Sequence, residues 1–345
     1  RDVSRKYPRL GRLLTDKQID FFSTFFPPVY ISEIEGIRST ATGKEIKGWF
    51  LACPLTPVRM LELPEKTVYR KIIETGRLAE RLGAQMLGLG AFTSVVGDGG
   101  QTIAAALDVP VTTGDAYTIA IAVEAVGKAA GEMEIALATA TAAVVGATGA
   151  IGRVCAELLA GQVAELYLVG RRPDALEDLC AHLQAAHPAT RLHTSTEMHV
   201  VKAARLILTV TSAIEALFDP EDLQPGSVIC DVARPRDVSA RVAAQREDVL
   251  VIDGGMVDIP GPVDFHFDFG FPPGKAYACM AETIVLALEG RFEDYTLGKE
   301  ISPARVQEIA ALAHFHGFRL SGFRSFEKPV TEAQLARVRD RARSH

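Results

Sequence analysis

Two stretches of this sequence carry residue types that could do chemistry, and the first holds a thiol. In Pro272-Pro273-Gly274-Lys275-Ala276-Tyr277-Ala278-Cys279, the cysteine falls near the first turn of a helix expected over residues 275–288. Unpaired N–H groups and the helix dipole favour thiolate over thiol there, and Lys275 reinforces that preference if its ammonium lies near. A thiolate can attack a thioester carbonyl, retain the acyl group as a new thioester and release the carrier thiol, after which hydride reduces the acyl group. The alternative for Cys279 is a small buried hydrophobe. The other four cysteines read as structural: Cys155 and Cys180 on helices, Cys230 in a strand, and Cys53 before Pro54. Five cysteines without paired spacing argue for thiols in a reducing, cytoplasmic compartment.

The second stretch is Ala142-Ala143-Val144-Val145-Gly146-Ala147-Thr148-Gly149-Ala150-Ile151-Gly152. Its small, β-branched start suits a strand buried on both faces of a parallel sheet. Gly146, Gly149 and Gly152 then form GxxGxxG. Such glycines let the backbone turn tightly, approach a pyrophosphate and pack the next helix on the strand. That helix, over 151–159, points its N–H groups at the phosphate, making Ala147, Thr148 and Ile151 of the turn further candidate contacts. A strand over 165–170 follows and ends in Arg171-Arg172. Arginine there suits the 2′-phosphate of NADP, where an acidic residue would suit NAD, so the expected cofactor is NADPH. The alternative is that the two arginines solvate a strand end. A third buried strand over 205–212 presents its polar end where cofactor sits in such sheets, which brings in Thr209 and Ser212.

These residues need elements to hold them. Strands around 29–32 and 46–51 flank the turn Ala41-Thr42-Gly43-Lys44, and a helix over 68–82 completes an α/β unit. Its next segment runs from a strand into a small-residue loop with Phe92, Thr93 and Ser94, which either face a substrate or, for the hydroxyls, bond local backbone. Thr113 or Asp115 either caps a helix over 116–130 or borders the substrate. Further strands over 228–235 and 249–255 give a doubly wound parallel sheet from roughly 116 to 262. A phenylalanine- and proline-rich loop over 265–274, containing His266, precedes helices over 275–288 and 303–316. The aromatic cluster Phe21-Phe22 and Phe25-Phe26 reads first as packing and second as the lining of an apolar cavity. The divisions are an N-terminal α/β substrate domain at 1–115, a Rossmann-type NADPH-binding domain at 116–262, and a helical C-terminal segment at 263–345 that carries the nucleophile.

Composition sets limits. The length of 345 residues suits two or three domains, and 48% hydrophobic with 23% charged residues suits a globular chain. A net charge of −6 offers no bulk attraction for nucleic acid or anionic membrane. Residues 135–152 carry no charge, but threonines and glycines interrupt them, so helix end, strand and turn explain them better than a membrane span. No metal site and no transmembrane segment are expected. The opening Arg1-Asp2-Val3-Ser4, without an initiator Met, reads as a trimmed sequence with no visible targeting signal.

With those residues in view, the sequence resembles the long-chain acyl-[acyl-carrier-protein] reductases, the aldehyde-forming enzymes of cyanobacterial type. The resemblance runs from Arg1-Asp2-Val3-Ser4-Arg5 to about Phe318. It is carried by Ala41-Thr42-Gly43-Lys44, Gly90-Ala91-Phe92-Thr93-Ser94, the glycine turn, and Ala278-Cys279-Met280-Ala281-Glu282. The last is the specific one, because the family's acyl-accepting cysteine sits in such a helix. The resemblance implies NADPH-dependent reduction of a fatty acyl thioester, from acyl carrier protein or CoA, to a fatty aldehyde. It also implies a downstream enzyme that consumes the aldehyde. Asp115 stands where the family has asparagine, and the segment between Gly255 and Cys279 is shorter. Two other readings remain: a shikimate- or quinate-type dehydrogenase, which needs no cysteine, and a noncatalytic NADP(H)-binding sensor.

Overall fold

The computed structural model describes residues 12–343 apart from Ala91, Ile214, Glu215, Arg234, Pro235 and Glu327. The opening motif at 1–5, Ala91 of the second motif, and the strand end at Arg234-Pro235 therefore lie outside the described residues. The chain divides into two compact units, Arg1–Gly114 with Val257–Lys299 and Ala311–Arg319, and Asp115–Met256 with Glu300–Ala310 and Leu320–His345.

The first unit opens with α1 (Asp16–Ser23), whose N-terminus is closed by a reciprocal Thr15–Gln18 capping box. Phe21 on this helix and Phe25 just beyond it are 53% and 70% exposed and contact each other edge-on at 5.8 Å. This corrects the expectation that the cluster is packing: the helix is too short to bury rings on more than one face. Strands β1 (Val29–Arg38) and β2 (Glu45–Ala52) pair as an antiparallel hairpin around the 41–44 turn. Helices α2 (Pro57–Glu62) and α3 (Glu65–Arg81) follow, and α3 lays Val68 and Ile72 into a core with Leu55, Met60, Leu89, Ile103 and Val111. Two short strands, β3 (Leu87–Gly88) and β4 (Val111–Thr112), pair in parallel, with α4 (Phe92–Val95) and α5 (Gln101–Ala104) between them.

The second unit begins at α6 (Asp115–Glu132), a helix rich in buried alanine. It continues through β5 (Thr141–Val145), α7 (Ala150–Ala160), β6 (Glu165–Val169), α8 (Pro173–Ala186), β7 (Arg191–Ser195), β8 (Leu206–Thr209), β9 (Val228–Asp231), α9 (Ala240–Gln245) and β10 (Leu250–Asp253). The six strands form one parallel sheet in the order β10-β9-β8-β5-β6-β7. This is the classical Rossmann order, with β5 as its first strand. Central strands β5, β8 and β9 are buried almost throughout, as their unbroken apolar runs require. Edge strand β7 was not expected, because Arg-Leu-His-Thr-Ser lacks that run and is largely exposed.

The chain then returns to the first unit through β11 (Met256–Asp258), β12 (Lys275–Tyr277) and α10 (Ala278–Glu289), with α11 (Pro303–His316) and α12 (Glu332–Arg343) beyond. Two expectations change here. Residues 275–277 extend and pair with β11, so the helix starts at Ala278 and Lys275 precedes it. The last third does not stand apart as one helical segment: Val257–Lys299 folds with the N-terminal unit and Leu320–His345 with the sheet. Among the described residues, no helix is long and apolar enough to cross a membrane.

Candidate active site

In the second unit, the turn between β5 and α7 is built by its glycines. Gly146 has φ +86°, and a Cβ there would lie 2.6 Å from the Val210 carbonyl oxygen. A Cβ at Gly152 would overlap the Gly146 carbonyl, so α7 can approach the turn only with glycine at that position. Gly149 is the N-cap of α7, and a Cβ there would meet only the Gly146 oxygen, at 3.3 Å, with space around it otherwise. The N-cap of α7, a glycine, brings no side chain to the mouth of the helix, which presents the positive end of eleven residues. That cradle fits the pyrophosphate of a dinucleotide. Ala147 is buried, and its N–H, like that of Gly146, donates to the Val169 carbonyl, which pins the turn to the end of β6. Ile151 lies in the first turn of α7.

The end of β6 borders the same turn. Arg171 and Arg172 are both exposed, and the Arg172 guanidinium donates to the Thr148 carbonyl at 3.3 Å. Thr209 differs from its expected role. It is fully buried and its hydroxyl donates to Asp237 at 2.5 Å, while Thr211 donates to the other oxygen of that carboxyl. The polar end of β8 thus fixes the following loop, whereas Ser212 is exposed.

In the first unit, Cys279 is the second residue of α10, half-buried, behind an N-cap, Tyr277, that supplies no side-chain cap bond. Lys275 pairs with Asp258, so its ammonium is held at a carboxylate on β11. The backbone of Cys279 packs against Gly114, whose φ is +78°; a Cβ on Gly114 would overlap Cys279 itself. One turn along α10, the fully buried Glu282 accepts hydroxyl bonds from Thr112 at 2.5 Å and Thr296 at 2.7 Å on one oxygen. The Thr296 N–H in turn donates to the Thr112 hydroxyl oxygen at 3.1 Å, and the Thr113 N–H to the Thr296 carbonyl at 2.9 Å. At the other end of α10, Lys44 donates to the carbonyls of Ala287 and Leu288 at 3.1 and 2.9 Å. A cation at a helix C-terminus is favourable, and this gives the 41–44 turn its role.

The remaining expected contacts separate. Phe92 is a core residue, packed with Met60, Val68 and Val111, because the loop after β3 turns into α4 and drives its ring inward. Thr93 donates to the Gly90 carbonyl at 2.6 Å, the local bond that was its alternative role. Ser94 is buried. Thr113 is fully buried with no partner for its hydroxyl, so it is not the cap of α6, and Asp115 is that helix's first residue. Burial pushes two other thiols up, Cys53 to about 11 and Cys155 to about 12, which leaves both poor nucleophiles.

Residues 128–254 match the family described as shikimate / quinate 5-dehydrogenase, a span that contains the whole six-stranded sheet. Over 304 residues the chain is 33% identical to the protein named aminotransferase PigE of Serratia, covering 87% of this chain and 35% of that one. The chain thus spans about a third of that relative's length. It is 28% identical over 334 residues to the long-chain acyl-[acyl-carrier-protein] reductase of Synechococcus elongatus, covering 92% of this chain and 94% of the other. The chain is related to NAD(P)-dependent oxidoreductases. Among solved structures, quinate dehydrogenase from Corynebacterium glutamicum in complex with NAD superposes with a TM-score of 0.31 at 15% identity, over 65% of this chain and 62% of that one.

Proposed function

We propose that the chain is an NADPH-dependent reductase of fatty acyl thioesters, carried by acyl carrier protein or CoA, that forms a fatty aldehyde through an acyl group held on Cys279. The single observation that carries the reading is the placement of Cys279: a half-buried thiol at the second position of a helix whose N-cap, Tyr277, supplies no side-chain bond, with its backbone locked against Gly114. The 28% identity to a reductase of that name over nearly the whole chain supports it. The family match at 128–254 ends before Cys279 and so bears on the nucleotide, not on the substrate.

Cys279 acts as the nucleophile. Its thiolate, favoured by the end of α10, adds to the thioester carbonyl, the carrier thiol departs with a proton, and a new thioester to Sγ remains. Bound NADPH would supply the hydride that reduces the carbonyl carbon of this thioester. Collapse of the resulting alkoxide breaks the bond to Sγ, expels the Cys279 thiolate and releases the aldehyde. Gly146, Gly149 and Gly152 hold the pyrophosphate, and Arg171 and Arg172 bind the 2′-phosphate. Lys275 serves to place β12 ahead of the helix through Asp258. The aldehyde is reactive, which calls for an enzyme that consumes it.

The test is a coupled assay with palmitoyl-CoA or palmitoyl-acyl carrier protein. The reading expects one NADPH oxidised per aldehyde formed. NADPH bound but unconsumed with every thioester, or consumption of NADP⁺ with shikimate or quinate, contradicts it.

A further inference from the structure

The loop between β11 and β12 alternates rings with polar or ring-free residues: Phe265, Phe267, Phe269 and Phe271 against His266, Asp268 and Gly270. Asp264 and Asp268 accept the N–H groups two residues ahead, from His266 at 2.7 Å and Gly270 at 2.6 Å. These bonds set the loop's shape and put the phenylalanines together. Phe269 is the hub, with ring centroids at 4.1 Å from Phe50 of β2, 4.8 Å from Phe267, 6.1 Å from Phe271 and 6.2 Å from Phe265. Phe271 then meets Tyr277 at 4.7 Å, and Tyr277 is the N-cap of α10, two residues before Cys279.

Simple core packing would hide these rings. Only Phe265 is buried; Phe50, Phe267, Phe269, Phe271 and Tyr277 all keep part of their surface accessible, as does Cys279. A continuous strip of partly accessible rings is an apolar surface that favours a hydrocarbon ligand. The charged side chain closest in sequence to the N-cap, Lys275, is neutralised by Asp258.

We infer that the strip Phe50–Phe269–Phe271–Tyr277 seats the hydrocarbon chain of the acyl group carried on Cys279, with Phe269 the residue that selects chain length. The inference rests on the acyl-accepting role of Cys279 and names the specificity element for it. The occupant follows from continuity: the strip ends at the residue that opens the helix bearing the thiol. A chain laid along the rings gains up to about fourfold in affinity for each methylene it buries.

The test probes the strip without relying on thioester chemistry. Modification of Cys279 by N-methyl-, N-hexyl- and N-dodecylmaleimide is followed on the intact chain by peptide mass spectrometry. The rate is expected to rise at least tenfold from methyl to dodecyl, to lose most of that rise in Phe269→Ala, and to keep part of it in Phe269→Leu, which preserves folding. N-methylmaleimide should react equally with all three proteins, and Phe25→Ala should behave as the wild type. Rates independent of chain length in the wild type, or an unchanged rise in Phe269→Ala, overturn the inference. A parallel arm uses butyryl- and palmitoyl-CoA. A maleimide rise without any acyl adduct on Cys279 removes the reductase reading and keeps the strip; equal butyryl and palmitoyl adducts remove the strip and keep the reductase reading.

Discussion

The Thr112 hydroxyl donates to the Glu282 carboxyl across 2.5 Å in the interior of the first unit, where neither residue is accessible to solvent. Thr296 donates to the same oxygen, so α10 is tied one turn below Cys279 to the strand that leads into Gly114. The position of Cys279 is therefore set by a buried polar contact rather than by the surface of its own helix.

Glu282→Ala leaves two buried hydroxyls without their acceptor, at a cost of roughly 1–3 kcal/mol each. A fall in Tm of several degrees is expected by calorimetry, together with slower modification of Cys279 by N-methylmaleimide. Glu282→Gln, which keeps an acceptor oxygen, should restore most of both. An alkylation rate unchanged in Glu282→Ala would show that the contact does not position the thiol.

Lys44→Met removes the cation at the far end of α10 and leaves the Ala287 and Leu288 carbonyls to water. Exposure limits the loss to about 0.3–1 kcal/mol. For units of this size that is about 1–4 °C in Tm, with nicotinamide-nucleotide affinity unchanged.

Arg171→Ala and Arg172→Ala test the choice of nucleotide. A charge-assisted bond to the 2′-phosphate contributes about 1.5–3 kcal/mol. The Kd for NADPH should rise tenfold or more in one or both variants while that for NADH changes little. Equal losses for both nucleotides would assign the arginines to the turn alone, through the Arg172 bond to Thr148.

Cys155 gives a pH dependence with a defined sign. Burial holds its thiol at about 12 in the folded chain, above the ordinary 9.0, so the folded state binds that proton more tightly than the unfolded one. The associated stability is complete below pH 9 and is lost progressively as pH rises from 9 toward 12. Calorimetry between pH 8 and 11 should show the Tm of the wild type falling more steeply than that of Cys155→Ala. Parallel curves would contradict this.

The parts of the account legible in the sequence are those fixed by neighbours in the chain. Gly146, Gly149 and Gly152 work within seven residues, and the sheet strands other than edge strand β7 announce themselves by apolar runs. Pro272-Pro273-Gly274 marks a helix start near Cys279. The departures come from partners distant in sequence. Thr112 and Glu282 are 170 positions apart, and Thr209 meets Asp237 after 28. Lys275 looks helical by local composition, yet pairing with β11 and the Asp258 carboxylate extend it. Phe92 sits in a loop-like stretch, and only the core around α3 draws it inside. The Cys279-x-x-Glu282 spacing, which puts both side chains on one helix face, was the available signal for the positioning residue.

The central claim is that Cys279 accepts the acyl group. Intact-mass measurement after incubation with palmitoyl-CoA and no nucleotide tests it most directly. The wild type should gain one palmitoyl group, localised to Cys279 by peptide mapping and removed by hydroxylamine, and Cys279→Ser should gain no hydroxylamine-labile palmitoyl group. A palmitoyl thioester that persists undiminished in Cys279→Ser, or none in a wild type that still reduces palmitoyl-CoA, contradicts the claim.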